Sequence, residues 1–416
     1  MLSGCTTASW MNPSSWFSGP QQQADADEAP VPDAAPVQPV QAVAMAQTQN
    51  PPQLGQVQPP LQQPIQPRPP AAVAQGKSKV AVLLPLSGKN AALGQAMLNA
   101  AQLAVFDMGG GSFEIMPRDT GNDEAGAEKA ARDAIASGAQ LLIGPLFAAH
   151  IPAVKTVAER SGVSLLTLST DTSQSSPGVF VMGFAPAAQV ERVVGFAMTR
   201  GAKRFAALVP DNAYGNLVGQ AFQLAVARAG GTVMDVQTYD IAKHDSAEEV
   251  KELAAQREQI DALFLPLGGT ELARVARQLT AAGFDRKRLD VLGTGLWDEP
   301  GAGTHDAFLT GGWYAAPDIA LRQRFISAYT STYGQEPPRL ATLAYDATAL
   351  AAVLSRRGAR FDRVALTSPN GFAGVDGIFR LTPQGLVERG LAVNEVTASG
   401  SRMIEPAPSS FLDTHR

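Results

Sequence analysis

The run from Lys79 to Gly94, KVAVLLPLSGKNAALG, constrains this chain more than any other part of it. Four successive apolar residues, Ala81 to Leu84, are what a strand buried on both faces of a parallel sheet requires, and the turn Pro85-Leu86-Ser87-Gly88 then feeds a helix. Such a junction leaves backbone N–H groups unpaired at the helix start and aims them at the carboxyl edge of the sheet, where open α/β folds hold ligands. Ser87 and Gly88 are therefore candidate ligand contacts.

The same alternation continues downstream. Apolar runs at 80–84, 113–116, 141–144 and 164–168 read as strands, and Ala-rich segments at 91–108, 124–137 and 149–161 read as helices stopped by glycine signals at 109–111, Gly138 and Gly162. After 179–182 the pattern restarts, with strands at 204–209, 232–239, 262–267 and 289–293 and helices between them. The 340 residues from Lys77 to Arg416 exceed the ~250–300 at which one hydrophobic core stops growing, so two lobes are expected. The fold expected is α/β, with two doubly wound parallel-sheet lobes joined by a multi-strand hinge. The chain after 312 is too short for a third domain and is expected to cross back. Lobe 1 is then 77–184 plus 312–360, lobe 2 is 185–311 plus 361–402, and 403–416 is a tail.

Ahead of this lies a different kind of sequence. Residues 1–76 hold 14 Pro and 14 Gln and a single basic residue, Arg68, too little apolar surface to offset chain entropy, and are expected to be a disordered tether. Leu2-Ser3-Gly4-Cys5 contains the chain's one cysteine, which excludes an internal disulfide. It resembles the lipobox of bacterial lipoproteins. Lipidation of Cys5 is the expectation, with periplasmic exposure and outer-membrane anchoring; a secretion signal needs ~7–15 apolar residues ahead of the cleavage site, so the true start would then lie upstream of Met1. The alternative is a chance match on a cytoplasmic chain. The Pro/Gln tract reads equally as an inert spacer or as a binding segment. The folded part carries 32 basic and 34 acidic residues, and no basic patch points to nucleic acid.

Catalytic signatures are missing. His150, His244, His305 and His415 are scattered, no HExxH, GxSxG or phosphate-cradling loop occurs, and Asp119 and Asp123 read as caps for the helix at 124. No cofactor is expected.

The segments VAVLLPLSG, LLIGPL (141–146), LVPDNAYG (208–215), AGF (282–284) and AYDAT (344–348) follow one another as in type I periplasmic binding proteins of the leucine-binding kind, over about 79–381. Within that superfamily, SLLTLSTDTS (164–173) and GVFVMGFAPAAQVERVVGFA (178–197) look most like the penicillin-binding-protein activator lipoproteins. The resemblance implies a ligand cleft between lobes that close on a hinge. It carries the family's contact positions onto Ala148, Ser169, Thr170 and Thr172 in the first lobe, and onto Tyr214, Gly268, Thr270 and Leu296 in the second. Ala148 has no hydroxyl, and Leu296 stands where the family places an acid against a ligand's ammonium. A cation sealed in a closed cleft without a countercharge costs several kcal/mol. Simple amino-acid capture is therefore disfavoured, unless Asp298 substitutes. The hydroxyls of 169–172 could instead cap their own turn, and Trp297 could stack on a ligand or sit in the core. Two functions follow from the resemblance: a non-enzymatic activator that binds a penicillin-binding protein, or a substrate-binding protein delivering an amino acid or related molecule to an ABC importer. The activators carry an additional N-terminal helical-repeat domain where this sequence has its Pro/Gln-rich stretch. A cell-wall enzyme is the least supported reading.

Overall fold

The computed structural model describes residues 77–108, 113–298, 301–358 and 360–411. Cys5, the Pro/Gln-rich stretch and the glycines of 109–111 lie outside the described residues.

The first lobe is built on five parallel strands in the order β2-β1-β3-β4-β5: β1 (Ser78–Leu84), β2 (Phe113–Asp119), β3 (Leu141–Ile143), β4 (Ser164–Thr167) and β5 (Val179–Val181). Helices α1 (Ala91–Asp107), α2 (Glu124–Ala136) and α3 (Ile151–Ser161) connect the first four. The pleat of β1 explains why its sequence is apolar throughout. Val80, Val82 and Leu84 point to the face packed by Met97 and Ala101 of α1, while Ala81 and Leu83 point to the opposite face, packed by Ala131 of α2 and Val154 of α3. Asp123 caps α2 by accepting a hydrogen bond from the Gly126 N–H at 2.8 Å. Gly162 ends α3 in the left-handed region, at φ +65°, where glycine carries no Cβ penalty.

The second lobe comprises α4 (Pro186–Thr199), β6 (Arg204–Pro210), α5 (Ala213–Arg228), β7 (Thr232–Tyr239), α6 (Ala247–Ala255), β8 (Ala262–Phe264), α7 (Gly269–Ala281), β9 (Asp290–Gly293) and β10 (Trp313–Ala316). The chain then enters α8 (Ile319–Tyr333), α9 (Ala341–Arg356) and the short α10 (Arg363–Leu366). It continues through β11 (Phe372–Gly374), β12 (Gly377–Leu381) and β13 (Val387–Arg389), and closes with β14 (Ala392–Thr397) and β15 (Gly400–Glu405). The second sheet has seven strands in the order β15-β14-β10-β9-β8-β6-β7, parallel from β10 to β7 with an antiparallel edge of β14 and β15. One face buries Leu253 of α6 and Leu272, Val275 and Leu279 of α7. On the strands and α5, Phe222 stacks on Phe264 with centroids 5.2 Å apart.

The chain crosses between lobes three times: between β5 and α4, between β10 and α8, and between β13 and β14. These crossings correct the sequence-derived boundaries. Trp313–Ala316, expected to open the return to lobe 1, pairs with β9 and β14 and belongs to the second sheet. The three-stranded sheet β11-β12-β13, expected in lobe 2, packs Phe372, Phe379, Leu381 and Val387 into the first lobe's core. Residues 403–405, expected in a tail, complete β15. A short apolar run shows that it will be buried but not which of two sheets it will join. Helix α9 makes the strongest join within lobe 1, burying Leu343, Ala347, Leu350 and Ala351 beside α1 and the first sheet. Its sequence is apolar on nearly every side because it is covered on nearly every side.

Candidate functional site

The candidate site is the cleft edge formed by the loops after β1, β3, β4, β6, β8 and β9. On the first lobe most polar groups in these loops are engaged with their own turns. The Asp119 carboxylate accepts from the Leu86 N–H at 2.9 Å and the Gly121 N–H at 2.8 Å. Burial works to raise its pKa, but these bonds and one from the Ser87 hydroxyl outweigh it and hold the carboxyl below its ordinary value. Gly88 sits at φ +73°, and a Cβ there would fall 1.8 Å from Asn122 Nδ2. The Ser87-Gly88 turn is thus clamped to the loop after β2. Ala148 is exposed. Ser169 is buried, its N–H donates to Thr167 Oγ1 at 3.2 Å, and its hydroxyl oxygen accepts from the Asp171 N–H at 3.1 Å. Asp171 in turn caps Ser173 at 3.1 Å, leaving Thr170 half-buried and Thr172 exposed. The Ser169 hydroxyl oxygen thus caps its own turn, and its O–H remains a donor.

The second lobe repeats this self-sufficiency. Tyr214 lies in the first turn of α5, buried, with its hydroxyl 2.9 Å from Thr294 Oγ1. Burial pushes that hydroxyl well above its ordinary pKa. At the start of α7 the Gly269 N–H donates to the Ala302 carbonyl at 2.9 Å, so 301–303 lies over this helix end, with Gly268 half-buried beneath and Thr270 exposed. Leu296 is half-buried beside Gly268, and the Gly295 N–H donates to Gln189 Oε1 of α4 at 2.8 Å. Trp297 is a core residue. Its ring fills the space left by Gly293 and Gly312, and lies 6.1 Å from the ring of Tyr314. Among the described residues its Nε1 has no hydrogen-bond partner.

Asp298 is the informative group. It sits at the carboxyl end of β9, two residues beyond Leu296, where it was the one acid placed to meet a ligand's ammonium. Its carboxylate is held instead by Arg322 in the first turns of α8, a first-lobe helix whose Phe325 and Tyr329 pack beside α1. The two side chains are 8% and 13% exposed, and the Tyr314 hydroxyl donates to Asp298 Oδ1 at 3.3 Å. Burial raises the Asp298 pKa above the usual carboxylate value, while Arg322, then Arg339, pull it the other way.

Sequence reasoning missed a second set of charges beside the crossings. Arg389 of β13 lies 3.4 Å from Asp346 of α9 and donates to the Met182 carbonyl at 3.0 Å. Arg339 pairs with Asp376 at 3.1 Å. The guanidiniums of Arg339 and Arg389 lie over Phe184, at the β5–α4 crossing, at 4.0 Å and 5.1 Å respectively from its centroid. Asp346 and Asp376 are fully buried; burial pushes Asp346 up against the pull of Arg389, and on Asp376 burial, the largest single influence, is outweighed by Arg339, Arg389 and the Thr342 hydroxyl together, which hold it below its ordinary value. The signal available was AYDAT itself, an acid in an otherwise apolar helix. Arg322 has no such signature, being one arginine among polar helix residues.

His150 is buried with its ring edge-on to Phe147, and His244 bonds Glu271 at 2.7 Å. Among the described residues no group of three or more His, Cys, Asp or Glu side chains is placed to hold a metal ion, and no helix is long and apolar enough to cross a membrane.

A family model described as periplasmic binding protein matches residues 77–397. Among solved structures, a Rhodospirillum rubrum protein assigned as a branched-chain amino acid ABC transporter superposes with a TM-score of 0.71 at 23% identity, over 79% of this chain and 100% of its own. The leucine-binding protein LivK of Thermotoga maritima superposes with a TM-score of 0.55 at 23% identity, over 79% of this chain and 98% of its own. At such identity the likeness is one of fold. The penicillin-binding protein activator LpoA of Haemophilus influenzae is 24% identical over 205 residues, 49% of this chain and 34% of the activator. The matches to curated relatives span less than half of those relatives' own length.

Proposed function

This chain belongs to the periplasmic binding protein family, and we propose that its two-lobed domain is a non-enzymatic recognition module that activates a peptidoglycan synthase in the cell envelope, tethered through a lipid on Cys5. The observation that carries this reading is the use of Asp298 by Arg322. A solute-binding cleft for amino acids needs a carboxylate to receive the ammonium, and here Leu296 supplies none while Asp298 is neutralised by the protein itself. Tyr214 likewise places its hydroxyl on Thr294, and the Ser169 oxygen accepts from its own turn. A module whose cleft groups satisfy one another is suited to present a surface. The match to LpoA, across about half of this chain, supports the choice of partner class. The test is glycan-strand polymerisation by a purified bifunctional synthase, with and without this protein; no change in rate at saturating protein refutes the reading.

The second reading, a substrate-binding protein for an ABC importer, is favoured by the fold shared with LivK. A ligand at 100 times its dissociation constant stabilises its protein by about 2.7 kcal/mol. Thermal shifts across amino acids, amides and muropeptides decide between the two.

A further inference from the structure

A groove away from the cleft gives the first lobe a second candidate contact. It has a volume of about 280 Å³ and is floored by Leu321, Phe325 and Ala328 of α8, Tyr345 of α9 and Val375 after β11. Asp107, the last residue of α1, and Arg324 of α8 also border it. None of the cleft candidates lines it. Tyr345 donates its hydroxyl to Asp107 Oδ2 at 2.8 Å, which fixes the carboxylate over an otherwise apolar hollow. Among the described residues Asp107 and Arg324 form no ion pair with each other, so the border carries one acid and one base whose charges are not spent on one another. Phe106, the residue before Asp107, is 74% exposed and adds a large ring to the surface at this end of α1.

Size and charge together select the occupant. Pockets that enclose a free small molecule run to about 300–1,000 Å³, and this one is smaller and open. It suits one aromatic or branched aliphatic side chain, the kind of anchor that dominates protein interfaces when it fills an apolar hollow. The flanking charges suit an anchor with a basic residue on one side and an acidic residue on the other.

We propose that this groove is a docking site for a partner protein, receiving one large apolar side chain flanked by a basic residue toward Asp107 and an acidic residue toward Arg324. This rests on the reading of the domain as a protein-binding module and names the surface it uses.

The probes are acetyl-Lys-Phe-Glu-amide and acetyl-Glu-Phe-Lys-amide, since the direction of the bound chain is open, titrated into the ¹⁵N-labelled full chain. One of the two is expected to shift the backbone amide signals of Ala328, Gly374 and Val375 saturably, with a Kd on the order of 1 mM. The Ala-centred peptide acetyl-Lys-Ala-Glu-amide should bind at least about fivefold more weakly, because it lacks the anchor. Ala328→Trp, which fills the hollow, should abolish the shifts, and Arg324→Glu, a surface change that leaves the packing alone, should weaken the preferred peptide. Absence of shifts at these residues up to 10 mM peptide, or equal binding of the Ala-centred peptide, overturns the proposal. The synthase assay separates this from the broader reading. Stimulation by the natural chain that survives Ala328→Trp removes the groove and keeps the activator function. Peptide binding without stimulation keeps the groove and removes the activator function.

Discussion

Replacing Arg322 by Met keeps the stem of the side chain and removes only its charge. Breaking a buried ion pair from one side costs about 3–5 kcal/mol, because the remaining charge stays buried without its partner. At Asp298 two features lower that figure: the pair keeps 8% and 13% of its side-chain surface in contact with solvent, and the Tyr314 hydroxyl remains 3.3 Å from the carboxylate. The expected loss for Arg322→Met is therefore at the low end, about 3 kcal/mol at pH 7.5. The sign of its pH dependence follows from the direction of the Asp298 shift. Burial already raises this carboxyl above its unfolded value, and removing Arg322, a cause that lowers it, raises it further. The folded variant then holds a proton that the unfolded chain releases, so its deficit grows as pH rises from about 4 toward neutrality and shrinks on acidification. Asp298→Asn on top of Arg322→Met removes the buried charge and should recover at least half of the loss. Urea unfolding read through tryptophan fluorescence measures all of this, since Trp297 packs against Tyr314 next to the pair. A loss below about 1 kcal/mol, a deficit independent of pH, or a double variant as unstable as the single one would refute the reasoning.

Other outcomes follow from the same geometry. Tyr214→Phe removes the short bond to the buried Thr294 hydroxyl, leaving it only the long 3.5 Å bond from the Leu296 N–H, and should cost about 1–2 kcal/mol in urea unfolding, with no loss of synthase stimulation. Gly215→Ala places a Cβ 1.8 Å from the Pro210 carbonyl oxygen at the β6–α5 junction, where only backbone movement can relieve it, and should cost at least about 2 kcal/mol by the same measurement. Asp346 has a folded pKa raised by burial, so it makes the protein less stable as pH rises above the ordinary carboxylate range; Asp346→Asn should flatten the fall in melting temperature between about pH 5 and pH 8.

Most of the first lobe was legible because its determinants are local. The run 80–84 became the last five residues of β1, Gly162 ended α3 as expected, and Asp123 capped α2. What escaped was non-local. Trp313–Ala316 could have extended either sheet, and its place beside β9 depends on the register Trp313 with Leu292 and Tyr314 with Gly293, about twenty residues apart in sequence. The site divides in the same way. The Ser-Thr-Asp-Thr run offered the Ser169 turn cap as one of two roles, whereas the pairing of Asp298 with Arg322 spans two lobes and leaves no spacing rule to detect. Trp297 was ambiguous until Gly293 and Gly312, neither of which can carry a side chain, were seen to make room for its ring.

A consequence for function lies in where the pair sits. In a two-lobed binding protein a solute shifts the balance of conformations only by as much as it contacts one of them better than the other. Here an acid from the second lobe and a base from the first make such a contact with no solute involved, next to crossings where Arg339 and Arg389 are packed over Phe184. Arg322 and Arg324 belong to the same helix, so the side chain that ties the lobes and the one that borders the first-lobe groove are positioned by one rigid element. On the proposed reading, the Asp298–Arg322 pair steadies the start of the helix that floors the groove, and the Arg322→Met variant, which substitutes no groove residue, should lose affinity for the anchor peptide by loosening that helix.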